Sequence, residues 1–152
     1  MVLTKKLTDS VTPTPWKLKK RVLPQHTDHA GVMWHGAYVA WLEEARVEAL
    51  VAAGLTYAEM TTLGVEMPVV SLNINYRHAL CHGDMVVLES ISSLPVGVRW
   101  PWRCQMFSND QLMADASVEL VMVTAGRVLR RPPAHLQALM NRLRQGPTAE
   151  DV

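Results

Sequence analysis

Long apolar runs are missing from this chain of 152 residues. The best of them, Val118 to Thr124, is interrupted by Glu119 and falls far short of the roughly 20 residues of a membrane-spanning helix. No apolar stretch follows Lys5 and Lys6, so no secretory signal pattern is visible and the expected location is the cytoplasm. Cysteine is scarce: Cys81 and Cys104 lie far apart, make no C-x-x-C pair, and read as buried or free thiols in a reducing compartment. Phenylalanine occurs once against nine methionines, a composition that suits a pliable interior or pocket wall. A net charge of one sign is also lacking. The total of +1 argues against a nucleic-acid or membrane partner, but it is a cancellation. Residues 1–27 carry +5, residues 28–124 carry −7 and residues 125–152 carry +3. Signature motifs are absent too. There is no G-x-G-x-x-G, P-loop, G-x-S-x-G or H-E-x-x-H, which removes the commonest nucleotide, hydrolase-triad and zinc-protease readings.

What remains is ample for one packed core, with 49% hydrophobic and 19% charged residues. The expected organisation is a flexible arm over 1–16, one domain over 17–145 and a short tail over 146–152. A first strand is expected over Lys17 to Leu23, closed by Pro24. A polar loop over 25–35 leads into a helix from Gly36 to Ala53. On it Tyr38, Trp41, Leu42, Ala45, Ala49 and Ala52 recur at three- and four-residue steps and form the largest apolar face in the chain. A short helix over Thr56 to Leu63 ends at Gly64. After Pro68 the period falls to two: Val70, Leu72, Ile74 and Tyr76 alternate with Ser71, Asn73 and Asn75. Strands over Met85 to Leu94, Val98 to Ser108 and Leu112 to Thr124 follow, joined by short turns such as Asn109-Asp110. An amphipathic helix over Ala134 to Leu143 closes the pattern. Strand, helix and then a run of antiparallel strands is an α+β order rather than an alternating βαβ one, and it leaves a sheet face and edge for a second copy to cover.

The chemically dense stretch runs from Gln25 to Tyr38, straight into the long helix. Three readings fit it. In the first, Asp28 and the histidines only bond the backbone of a polar loop. In the second, His26, Asp28, His29 and His35, with His78 and His82 from elsewhere, hold a metal, although their spacing matches no standard ligand pattern. In the third, a carboxylate sits just ahead of a helix whose unpaired N–H groups polarise a carbonyl. Asp28 then attacks the carbon or activates a water.

The stretch His26-Thr27-Asp28-His29-Ala30-Gly31-Val32-Met33-Trp34-His35-Gly36-Ala37-Tyr38, followed by Trp41-Leu42-Glu43-Glu44-Ala45-Arg46, resembles the 4-hydroxybenzoyl-CoA thioesterase family of hotdog-fold acyl-CoA thioesterases. The likeness continues through Asn75-Tyr76-Arg77, Gly83-Asp84 and Arg130-Arg131-Pro132, and spans about residues 17 to 135. It implies a hotdog fold, an antiparallel sheet of five to six strands wrapped around a long central helix. It also implies thioester hydrolysis without metal or redox cofactor, coenzyme A being part of the substrate. By the resemblance Asp28 is the catalytic carboxylate, and the backbone N–H of His35 or Gly36 polarises the thioester carbonyl. The resemblance further implies a homodimer or homotetramer, with sites built by the Asp28 loop of one chain and strand residues near Val70 of its partner.

Two departures from the family pattern stand out: its first Asp is His26 here, and the Asn before its Tyr is Ala37. The basic run that some relatives carry before the third long strand is replaced by Leu94-Pro95-Val96-Gly97-Val98. Candidates for the coenzyme A phosphates are therefore Arg99 and Arg103, or the cluster Arg127, Arg130 and Arg131, and Trp34 is a candidate acyl-pocket wall. A hotdog hydratase or dehydratase and a non-catalytic acyl-CoA-binding module are the competing functions.

Overall fold

The computed structural model describes residues 13–149, so the first twelve positions of the expected arm lie outside the described residues. Trp16, expected at the end of that arm, instead opens the first strand, β1 (Trp16–Arg21), and is buried, with its Nε1–H donating to the Leu143 carbonyl at 2.8 Å. A 3-10 turn over Pro24–His26 and a short loop lead to the long helix α1 (His35–Ala52). The fold continues with α2 (Tyr57–Leu63), β2 (Val69–Tyr76), β3 (Met85–Ser92), β4 (Trp100–Ser108) and β5 (Gln111–Leu120). A small ribbon of β6 (Val123–Thr124) and β7 (Arg127–Val128) precedes α3 (Gln137–Gln145), itself entered through a 3-10 turn over Ala134–Leu136. No helix among the described residues is long and apolar enough to cross a membrane.

β1 to β5 form one antiparallel sheet in the order β1-β3-β4-β5-β2. α1 connects one edge strand to the other and lies across the sheet's inner face. Tyr38, Trp41, Leu42, Ala45 and Ala49 of the expected stripe are buried there, Trp41 at only 2% exposure. Ala52 is exposed and Leu50 takes its place in the core. Strand alternation supplies the facing wall: Val86 and Leu88 of β3, Cys104 and Met106 of β4, and Ala114 and Ala116 of β5 pack against the first half of α1. Trp100, Trp102, Val118 and Leu120 pack with its second half and with Leu136, Met140 and Leu143 of the C-terminal segment. Burying a large apolar side chain contributes about 1.5–3 kcal/mol, so this stripe dominates the stability of the element.

The ends of α1 are settled locally. Its C-terminus closes in a Schellman motif, with the Leu55 N–H on the Leu50 carbonyl at 2.9 Å and the Gly54 N–H on the Val51 carbonyl at 3.0 Å. That geometry puts Gly54 at φ 109°, where a side chain is strained. α2 begins with a capping box, Thr56 and Glu59 each accepting from the other's backbone N–H.

β2 differs from expectation. Its alternation predicts one buried face, yet only Ile74 is partly buried, and Leu72 and Tyr76 are 41% and 52% exposed. The strand lies at the sheet edge with β5 on one side only, and the register shifts between Val69 and Ser71, where Val70 sits.

Candidate active site

The loop between β1 and α1 is stitched on both flanks. Thr27 and Met33 bridge antiparallel, the Trp34 N–H donates to the His26 carbonyl at 3.0 Å, and the Asp28 N–H donates to the Val32 carbonyl at 2.8 Å. On the outer side the Met33 N–H reaches the Leu80 carbonyl at 2.7 Å, and Val32 bridges to Cys81. The tip turns at Gly31, whose φ of 79° suits a residue without Cβ. Asp28 is exposed at this tip. Its Oδ1 accepts the Ala30 N–H at 2.8 Å and, more loosely, the Val32 N–H at 3.4 Å. Its Oδ2 has no hydrogen-bond partner among the described residues, and is the oxygen available to a water or a carbonyl carbon.

Six residues beyond Asp28, Trp34 is the N-cap of α1 in an extended conformation, and its side chain caps nothing. No acidic residue lies in the first turn. The N–H groups of His35 and Gly36 have no acceptor among the described residues, and they carry the positive end of an 18-residue helix dipole. Ala37, where the family pattern has Asn, leaves the helix start to be fixed by backbone alone. The Ala37 N–H donates to the Trp34 carbonyl at 3.0 Å, and Met33 and Trp34 are held as described above.

Beside this start lies a cavity of about 270 Å³, walled by Val32, Met33, Tyr38, Tyr76, Arg77 and His78. The rings of Tyr38 and Tyr76 meet edge to face, with centroids 4.9 Å apart. Burial raises the Tyr38 hydroxyl above its ordinary value, opposed by a hydrogen bond from the Leu80 backbone. Tyr38 belongs to the apolar stripe of α1 and is buried in the core, and it also lines the cavity. A larger hollow of about 600 Å³ opens on the opposite, outer face of the sheet between Lys17, Glu89 and Phe107. The helix start does not reach that face.

The arginine candidates do not join Asp28 within one chain. Trp100 pairs with Leu120, which pairs with Val69, whereas Met106 pairs with Ala114 and so with Tyr76 beside the helix start. Arg99, just before β4, therefore sits at the opposite end of the sheet, paired with Glu119. Arg103 faces outward, because its neighbours Trp102 and Cys104 face α1. Arg127, Arg130 and Arg131 are exposed around β7. Val70 is six residues from Tyr76, about 20 Å along the strand at 3.3 Å per residue. Among the described residues no group of three or more His, Cys, Asp or Glu side chains is placed to hold a metal ion.

A family model described as the thioesterase-like superfamily matches residues 22–143. The chain belongs to that family. It is 35% identical over 141 residues to the Synechocystis sp. protein named "Putative esterase sll0410", covering 90% of this chain and 85% of the relative. Among solved structures, a DHNA-CoA thioesterase from Staphylococcus aureus superposes with a TM-score of 0.70 at 26% identity, over 75% of this chain and 78% of that one. The 4-hydroxybenzoyl-CoA thioesterase of Pseudomonas sp. strain CBS-3 superposes with a TM-score of 0.73 over 82% and 99% of the two chains; at 19% identity it speaks for the fold alone. The α+β sheet around a central helix is thus the hotdog fold that the sequence led us to expect.

Proposed function

We propose that this member of the thioesterase-like superfamily is an acyl-CoA thioesterase that hydrolyses an aromatic or short-chain acyl-CoA to the free acid and coenzyme A. The observation that carries the reading is the loop over 26–36. One set of backbone bonds holds the Asp28 carboxylate, with Oδ2 unengaged, and the uncapped start of α1 with the His35 and Gly36 N–H groups. The helix start draws charge onto the thioester oxygen as the carbonyl carbon becomes tetrahedral. Asp28 either takes the proton of an attacking water or attacks the carbon itself and is freed by water. In both routes a C–O bond forms, the C–S bond breaks, and the thiolate leaves without strong acid assistance. The cavity beside Tyr38 and Tyr76 gives the acyl group an apolar wall at the helix start, and Trp34 adds a second.

The working unit in this proposal is a homodimer or a pair of dimers. β2 leaves one backbone edge unpaired and Val69, Val70, Leu72 and Tyr76 exposed. Antiparallel pairing of two β2 strands about Asn73 covers that edge and sets Val70 of the partner subunit opposite Tyr76, completing the cavity.

The test is thiol release from a panel of acyl-CoA substrates by the wild type and by Asp28→Asn. Turnover reduced by at least about a hundredfold in the variant, with the fold intact, is expected. Unchanged turnover in the variant, or acyl-CoA bound or hydrated but never cleaved by the wild type, overturns the proposal.

A further inference from the structure

The family pattern has Asp where this chain has His26, and the structure shows what the imidazole does there. The Leu23 N–H donates to His26 Nδ1 at 3.0 Å, while the His26 N–H donates back to the Leu23 carbonyl at 2.9 Å. This reciprocal pair closes the 3-10 turn over Pro24–His26: the backbone bond is the turn's own, and the imidazole supplies the half of a capping box in which the third residue's side chain takes the N-cap N–H. Because Nδ1 accepts, it carries no proton, and the proton of the neutral ring is on Nε2. The ring is wedged edge-on against buried Trp41 of α1, with centroids 5.2 Å apart and planes at 79°. Lys20 Nζ also lies over the Trp41 ring, 5.8 Å from its centroid, and pairs with Glu44 at 3.0 Å. The residue's main chain then branches to both halves of the candidate site. It continues through Thr27 into Asp28, and its carbonyl accepts the Trp34 N–H immediately before the His35 and Gly36 donors.

We infer that His26 is a positioning residue, a neutral hydrogen-bond acceptor that locks the first turn of the loop onto α1 and so sets Asp28 in register with the helix start. The inference rests on the thioesterase reading for its effect on rate, but not for its effect on the loop. It also accounts for the departure from the family pattern. Any short side chain whose acceptor atom reaches the Leu23 N–H can close the turn, and Nδ1 of His26 does this without placing a second negative charge beside Asp28.

The discriminating set is His26→Ala, His26→Asn, His26→Asp and His26→Gln. The Asn and Asp oxygens fall about where Nδ1 is, whereas the Gln amide extends toward the Nε2 position and leaves the Leu23 N–H unpaired. In His26→Ala and His26→Gln, kcat on the best thioester falls about tenfold or more with KM little changed, since misplacement by an ångström is that costly. His26→Asn and His26→Asp stay within about threefold of the wild type on the same argument. Hydrogen exchange read at the Asp28 and Trp34 amides follows the same split, with protection lost in the Ala and Gln variants and kept in the Asn and Asp variants. Equal behaviour of Asn and Gln, by rate or by exchange, overturns the inference, as does a His26→Ala variant with wild-type kcat and protection. A wild type that cleaves no thioester would sink the proposed function while the exchange comparison still decided the role of His26.

Discussion

The indole of Trp34 lies across the Cα of Gly36. A Cβ built on Gly36 would run into the six-membered ring of Trp34, so the second residue of α1 can carry no side chain while the indole keeps its place. Trp34 is 45% exposed and also meets His35 edge to face at 5.3 Å. The ring therefore forms a wall over the helix start with room to swing into solvent. Gly36→Ala is expected to fold with nearly unchanged Tm, since Ala gains up to about 1 kcal/mol over Gly within a helix and the displaced ring is only half-buried. The displaced wall should raise KM severalfold and shift the Trp34 emission to the red, read by difference against Trp34→Phe. Unchanged emission and KM in Gly36→Ala would show that the indole has no part in the site.

The sequence shows most clearly those features that repeat at short range. The α1 stripe is legible because Tyr38, Trp41, Leu42, Ala45 and Ala49 bury one face of a continuous helix. At its end, where the Schellman motif turns the chain, the period fails and Leu50 is buried in place of Ala52. The alternation in β2 is equally clear, yet period two reports which residues share a face and not whether anything covers it. Strand order leaves β2 at the edge, a non-local fact. Asp28 becomes legible only through the family resemblance, since a polar loop ahead of a helix has several chemistries open to it. Of the bonds that hold its loop, Met33 N–H to the Leu80 carbonyl joins main chain to main chain and no residue type announces it, and Leu23 N–H to His26 Nδ1 pairs the imidazole with a main-chain donor that the sequence does not point to.

The β2 edge gives a direct test of assembly. Leu72 lies in the middle of that strand, exposed in the single chain, beside α1 residues Val39 and Leu42 across a cavity of about 240 Å³. If a second copy covers the strand, Leu72→Asp places an unpaired charge in the seam. Sedimentation should then show the mass of one chain and thioester turnover should fall with it. On a free surface the same change is worth within about 0.5 kcal/mol and alters neither mass nor rate.

Asp115 on β5 gives the chain an acid-sensitive contact. Asn75 Nδ2 donates to its Oδ1 at 3.1 Å, and Arg77 reaches its Oδ2 through Nε at 2.9 Å and through a terminal nitrogen at 2.8 Å. These bonds, Asn75 first and Arg77 next, hold the carboxyl below its usual range. A carboxyl lowered in the folded state adds stability that is fully present above the unfolded value of about 3.9 and is lost as pH falls through the folded one. Asp115→Asn should lower Tm at pH 7 and lose that difference progressively below about pH 4. A difference that persisted unchanged at pH 2 would mean that packing, not charge, is what Asp115 contributes. Since Arg77 is half-exposed, the effect at pH 7 is modest.

The two thiols should part company. Cys104 faces α1 from β4, and burial pushes its thiol up to about 11, with a hydrogen bond to Ser90 opposing the shift. At pH 8 almost none of it is thiolate, and the sheet and helix close it off from any reagent. Cys81 is exposed beside Val32 of the candidate loop. An aromatic disulfide reagent should therefore titrate one thiol per native chain at pH 8 and two in denaturant. The single native equivalent should disappear in Cys81→Ser and persist in Cys104→Ser. Because Cys81 borders the loop, the bulky adduct should also slow turnover, and saturating acyl-CoA should protect the thiol from modification. Rapid reaction of both thiols in the native protein would mean that the α1–sheet core opens far more readily than its packing implies.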